Sequence, residues 1–125
     1  MICRMRTLFF LAAVSCVGCG NLIPLPSKDA KCDLRPRADQ CTDLRGFKGP
    51  SLLTFEGVCT TLTKAKGGGT YTENATCDSS ASLGGCQSSS ADGSKQTNWY
   101  YAGTKYANAA AAMAECDSGQ TFVSP

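Results

Sequence analysis

The chain has 125 residues, 9 cysteines and no histidine. Its formal net charge of +2 resides in Arg4 and Arg6, and the rest of the chain carries ten charges of each sign, which excludes charge-driven binding to nucleic acid or to an anionic membrane face. Without histidine there is no Ser-His-Asp triad, no common zinc-hydrolase design and no ordinary charge switch between about pH 5 and 8.

Residues 1–20 fall into three zones: a basic start around Arg4 and Arg6, an apolar run from Thr7 to Val14, and a small-residue end from Ser15 to Gly20. The apolar run is too short for a membrane-spanning helix, which needs about 20 residues, and suits an export signal. With Gly18-Cys19 at its end, the segment resembles a bacterial lipoprotein signal, in which a cysteine after small residues is lipidated and becomes the mature N-terminus. The resemblance implies a signal peptide over 1–18 and lipidation at Cys19, with fatty acyl chains such as palmitate, at about 0.8 kcal/mol per buried CH₂, as the membrane anchor. It also implies, from Gly20 rather than Asp after the acceptor, the outer membrane of a Gram-negative envelope. Cys16 is the alternative acceptor, and plain cleavage after Ser15 would give a secreted protein. Lipidation at Cys19 leaves six cysteines, which can pair completely, and lipidation at Cys16 leaves an odd thiol; plain cleavage leaves an even number too.

Residues 19–31 read as the lipidated Cys and a linker, with Pro24 and Pro26 among few apolar residues. The domain proper is expected over 32–125. It holds six Leu, no Ile, two Val and three Phe, a thin core that needs three disulfides among Cys32, Cys41, Cys59, Cys77, Cys86 and Cys116. Their spacing contains no close Cys pair of the zinc-site kind, so neither metal nor cofactor is expected.

In chain order, Ser51 is positioned to cap a helix whose Leu52, Phe55, Cys59 and Leu62 share one face. Lys64 and Lys66 suit its C-terminal dipole, and Gly67-Gly68-Gly69 stops it. Strands are expected over Thr70–Thr72, Leu83–Ser88 and Thr97–Ala102, the last two joined by a hairpin at Asp92-Gly93. A second helix is expected from Lys105 to Asp117, with Tyr106, Ala110 and Met113 on one face, and then a strand over Gln120–Val123. The order α-β-β-β-α-β gives an α+β class: a small disulfide-stapled domain, with two helices packed on a short, mostly antiparallel sheet. Both helices bring a cysteine, then a glycine, then a Thr-aromatic strand (Cys59 to Tyr71, Cys116 to Phe122), which fits either a degenerate helix–turn–strand repeat or the ordinary sequence of a helix stop followed by a strand start.

Through Cys59, Gly68-Gly69-Thr70-Tyr71 and Cys77, Leu83-Gly84-Gly85-Cys86, Trp99-Tyr100-Tyr101, and Cys116 with Thr121-Phe122-Val123, the domain resembles a group of uncharacterised cysteine-rich bacterial lipoproteins. The resemblance implies no activity. Cys32 and Cys41 lie outside those motifs, which suggests a local Cys32–Cys41 bridge beside Cys59–Cys77 and Cys86–Cys116, one of 15 pairings open to six cysteines.

No catalytic residue stands out. The cysteines can all pair, and Gly67-Gly68-Gly69 follows a helix and lacks a phosphate-loop ending. Asp33, Asp39 and Asp43, interspersed with Arg35, Arg37 and Arg45, read as surface charge balance. Trp99, Tyr100, Tyr101 and Tyr106 are the candidate binding residues: in a strand, Trp99 and Tyr101 share one face and Tyr100 takes the other, either as core or as an exposed platform. The expected function is a non-enzymatic cell-envelope lipoprotein with a structural or interaction domain, held to the membrane by its lipid and meeting an envelope protein or glycan, with no nucleic-acid partner. The alternatives are a glycan-, peptidoglycan- or protein-binding module using the Trp99–Tyr101 strand, or a small secreted inhibitor or effector displaying the loop from Ser88 to Lys95.

Overall fold

A computed structural model describes residues 26–125; the signal, Cys16, Cys19 and the tether as far as Leu25 lie outside the described residues. The elements are β1 (Ser27–Asp33), β2 (Gln40–Lys48), α1 (Pro50–Lys66), β3 (Thr70–Glu73), a 3-10 turn (Ser79–Ala81), β4 (Gly84–Ser89), β5 (Lys95–Tyr100), α2 (Ala109–Met113) and β6 (Thr121–Val123). The α+β class and the disulfide framework are as expected, but the order is not. Two strands precede α1, and β1 draws the last five residues of the expected linker into the sheet.

All six strands form one antiparallel sheet in the order β3-β1-β2-β5-β4-β6. That order is made of one motif used twice. Strand β1 pairs with β2 on one side and β3 on the other, with α1 between β2 and β3 in sequence. Strand β4 likewise pairs with β5 and β6, with α2 between β5 and β6. Equivalent positions match in detail. Cys32 lies opposite Tyr71 and bonds to Cys59 on α1, while Cys86 lies opposite Phe122 and bonds to Cys116 just after α2. The two ββαβ units meet where β2 pairs with β5. There Thr42 stands opposite Asn98, its equivalent in the other unit, and donates a 2.8 Å hydrogen bond to Asn98 Oδ1. The helix–turn–strand pattern seen in the sequence is the second half of this larger unit.

Helix α1 begins at Pro50, whose fixed φ and missing N–H suit the first turn. Gly49 at φ 53° holds the N-cap position without a side-chain cap, so Ser51 is not the cap. At the other end Gly67, in the left-handed region, and Gly68 donate to the Lys64 and Thr63 carbonyls and close the helix. Helix α2 is five residues long, not the thirteen expected from Lys105 to Asp117. The Asn108 side chain accepts from Ala111 N at 3.0 Å and so starts the helix late. Ala112 is buried and Met113 is 52% exposed, the reverse of the expected packing face.

The disulfides are Cys32–Cys59, Cys41–Cys77 and Cys86–Cys116. The local Cys32–Cys41 bridge and Cys59–Cys77 are thereby corrected. Cys32 and Cys41 sit on adjacent strands with side chains on opposite faces, because Cys32 lies opposite Thr42 and Asp33 opposite Cys41. One disulfide pins each helix region to its own unit on the same sheet face. The third ties the segment between the units across the opposite face. Three such bonds in a core this thin belong to an oxidising, extracytoplasmic compartment.

Two predictions follow from these constraints. The double change Cys32→Ala with Cys59→Ala should lower unfolding free energy by about 3 kcal/mol, read by denaturant titration; an unchanged midpoint would show that α1 is held without its staple. Gly84 has φ +123°, and a Cβ there would enter the Phe122 ring and come within 2.9 Å of Val123 O. Gly84→Ala should therefore cost about 2–4 kcal/mol and loosen β6, visible as faster amide exchange at Thr121–Val123.

Candidate functional site

The aromatic run is core on both faces of the sheet. Trp99 and Tyr101 pack with Cys41 and Cys77, and Tyr100 packs with Cys86, Tyr106 and Ala112. The facing expected from strand alternation holds, but the exposed platform does not: Trp99, Tyr100, Tyr101 and Tyr106 are 3–6% exposed. The segment carrying Cys77 covers one face, and Tyr106, its ring centroid 4.8 Å from that of Tyr100, covers the other. Trp99, Tyr100 and Tyr101 therefore form no exposed platform, and only the small exposed part of Tyr106 reaches the groove beside α1.

Asp43 is likewise no surface charge. It is fully buried, and its Oδ2 accepts from Cys77 N at 3.0 Å and from Trp99 Nε1 and Arg45 Nη2 at 3.2 Å. Oδ1 has no hydrogen-bond partner among the described residues. Asp43 thus joins β2, β5 and the Cys77 segment. The alternation of Cys41 and Asp43 on β2 was the available sequence signal, hidden by the usual placement of Asp at the surface. Nearby, Arg35 grips Asp33 through Nε at 2.8 Å and Nη2 at 2.6 Å, and its guanidinium lies 3.9 Å over the Tyr101 ring. The Arg35 hydrogen bonds hold the Asp33 carboxyl below its ordinary value. Burial pushes the Tyr101 phenol up to about 12 despite the neighbouring guanidinium, and its hydroxyl donates to Asp78 O at 2.8 Å. Asp33, Asp39 and Asp43 do not converge on a common substrate position: Asp33 is committed to Arg35, Asp43 to the core and Asp39 to the Lys105 backbone. Among the described residues, no three of His, Cys, Asp and Glu come together to hold a metal ion.

The open surface lies on the helix-bearing face, over the junction of the two units. A groove of about 620 Å³ runs between α1 and the Lys105–Tyr106 segment. Its floor carries Gln40 and Thr42 from β2 and Gln96 and Asn98 from β5, equivalent positions of the two units. Phe47, Phe55, Val58, Leu62 and Tyr106 contribute its apolar walls. Lys105 stands at the rim, 3.7 Å from Glu115. The α1 wall continues without a break onto the helix's outer side, where Leu53, Gly57 and Thr61 join Thr54, Val58 and Leu62 in a second, shallow depression. Leu53 is 72%, Val58 51% and Leu62 39% exposed, so Leu62 does not share the buried face expected for it with Leu52, Phe55 and Cys59. A helix with one face on a sheet ordinarily turns charged residues to water. From Pro50 to Thr63, α1 has the exposed Glu56 as its one charged residue, so apart from Glu56 the side facing solvent is apolar or merely hydroxylic.

Two predictions test the buried polar framework. Asp43→Ala leaves the Trp99 and Cys77 donors buried without their acceptor and should cost about 2–4 kcal/mol; an unaltered denaturation midpoint would remove Asp43 from its structural role. The Tyr101 phenol ionises more readily in the unfolded chain than in the fold, so the stability it contributes is complete below its ordinary value of 10.0 and is lost as pH rises towards about 12. Burial raises Tyr71 and Tyr100 as well, so ultraviolet titration should show late tyrosine ionisation together with alkaline unfolding, and Tyr101→Phe should diminish that late step.

Compared with known proteins, the chain matches no family model, no curated protein and no solved structure.

Proposed function

We propose that this protein is a non-enzymatic, lipid-anchored protein of the bacterial cell envelope, whose disulfide-stapled domain works by contact with another macromolecule. The signal-like N-terminus with Cys19 supports the anchor, and Gly20 after it supports the outer membrane. The disulfides support an extracytoplasmic domain at the end of a short tether. The contact surface is the outer side of α1 together with the groove beside it. The observation that carries this reading is that α1, stapled rigidly to the sheet through Cys59, keeps Leu53, Val58 and Leu62 in solvent. An apolar face fixed in place and left uncovered marks an interaction site.

Two measurements test the reading. The intact mass of the mature chain, made with its own signal in a Gram-negative host and alkylated before reduction, should show an acylated N-terminus at Cys19 and no alkylated thiol. A mature chain beginning at Cys16 without acyl groups would replace the anchor with secretion. A photoreactive residue in place of Val58 should give one discrete covalent product in intact cells, and one in place of Lys95 should give none. No product at Val58 would overturn the contact surface.

A further inference from the structure

The geometry points to a second copy of this chain as the occupant of the groove, each copy seating its α1 on the sheet of the other. This rests on the reading of α1 and its groove as a contact surface and names the partner. Six strands about 4.8 Å apart make a sheet about 24 Å wide, and helices pack about 10 Å apart, so a complete covering layer is roughly two to three helices. This chain supplies one of 17 residues and one of five. Helix α1 covers β3, β1 and part of β2, α2 covers β4, and between them Gln40, Thr42, Gln96 and Asn98 of β2 and β5 line the floor of the open groove.

The chain carries the complementary body itself. Along α1, the Leu53, Val58 and Leu62 ridge is uncharged and adjoins the groove, and Thr54, Val58 and Leu62 line both the groove and the outer depression. A ridge and a groove side by side within one patch are what a two-fold, isologous contact requires. Gly57 supports the same arrangement. It lies inside α1, where glycine costs about 1 kcal/mol relative to alanine, and a Cβ there would meet nothing within 4 Å in its own chain. Nothing within reach in the described fold asks for glycine, and its missing side chain leaves the helix backbone open to close approach by a second copy.

Sterics fix the symmetry axis. For both sheets to lie outside and both α1 helices to lie side by side between them, the axis runs parallel to the helices, and Val58 and Leu62 meet their own counterparts. Ser27 pairs with Lys48 at the end where α1 begins, so both tethers leave from the same end of the dimer and reach one membrane. The ridge from Leu53 to Leu62, about 14 Å long and about 10 Å wide, and the groove beside it bury on the order of 600 Å² in total over both copies, the size of a weak, transient interface. The dimer is therefore reversible in solution and favoured where anchors confine the copies to one surface.

Sedimentation of the mature full chain in detergent, with its disulfides intact, should show a monomer–dimer equilibrium. Leu62→Lys should raise the dissociation constant at least about tenfold without lowering the melting temperature measured at a dilution where both forms are monomeric, because Leu62 is 39% exposed in the monomer. Met113→Lys, on the exposed side of α2, should leave the equilibrium unchanged, and the Val58 photoproduct should have twice the mass of the chain. A monomer at every concentration, with a Val58 product of any other mass, overturns the self-association and leaves the contact surface with a different partner. A monomer with no Val58 product overturns both. Equal weakening by Leu62→Lys and Met113→Lys overturns the assigned face.

Discussion

The sheet is whole because of the pairing between β2 and β5. Each ββαβ unit makes only a three-stranded sheet, and the register from Gln40 opposite Tyr100 to Arg45 opposite Lys95 is where one unit becomes continuous with the other. Everything else is arranged about that seam. Asp43 and Trp99, equivalent positions of the two units, are joined across it by the indole hydrogen bond. The Cys41–Cys77 bridge has no counterpart in the other unit and covers one side of the seam. The groove lies along the other side. Burying a carboxylate is costly unless its oxygens are satisfied, so Asp43 ties the packing of Trp99 and of the Cys77 segment to one arrangement of the seam.

The parts of this fold that were legible in the sequence are those carried by strong local signals. Helix α1 announces itself by the spacing of Leu52, Phe55 and Cys59 and by its glycine stop. The β4–β5 hairpin does so through Asp92-Gly93. Strands β1 and β2 leave little trace in the sequence, because apart from Leu44 and Phe47 their inward residues are small or polar: Ala30 and Cys32 on one, with Cys41 and a buried Asp43 on the other. Alternation is present at period two, but without Val or Ile to mark it. Helix α2 was overextended because its alanine run favours helix throughout, while the Asn108 cap sets the first turn.

The aromatic cluster teaches a different lesson. A thin aliphatic core left two readings for Trp99, Tyr100 and Tyr101, and strand alternation could assign faces but not their covering. Which faces are covered depends on Cys77 and Tyr106, a disulfide partner and a ring neighbour that the sequence does not connect to the strand. The candidate site depends on topology in the same way. Gln40, Thr42, Gln96 and Asn98 are separated by more than fifty residues in two pairs, and become one floor only when the units meet at the seam. The exposed side of α1 escapes the sequence reading as well: Leu53 and Val58 carry no motif, and Leu62, expected on the face of Leu52 and Cys59, is 39% exposed.

The placing of β3 and β6 bears on how the protein behaves at high local density. In each unit the last strand pairs on the outside of the first, so the sheet ends in strands of four and three residues. Edges so short offer few free backbone donors and acceptors for another chain to extend. Duplicating the unit doubled the width of the sheet without lengthening its edges. A sheet of this kind resists open-ended, strand-by-strand growth into fibres, which matters for a small domain stapled rather than filled at its core.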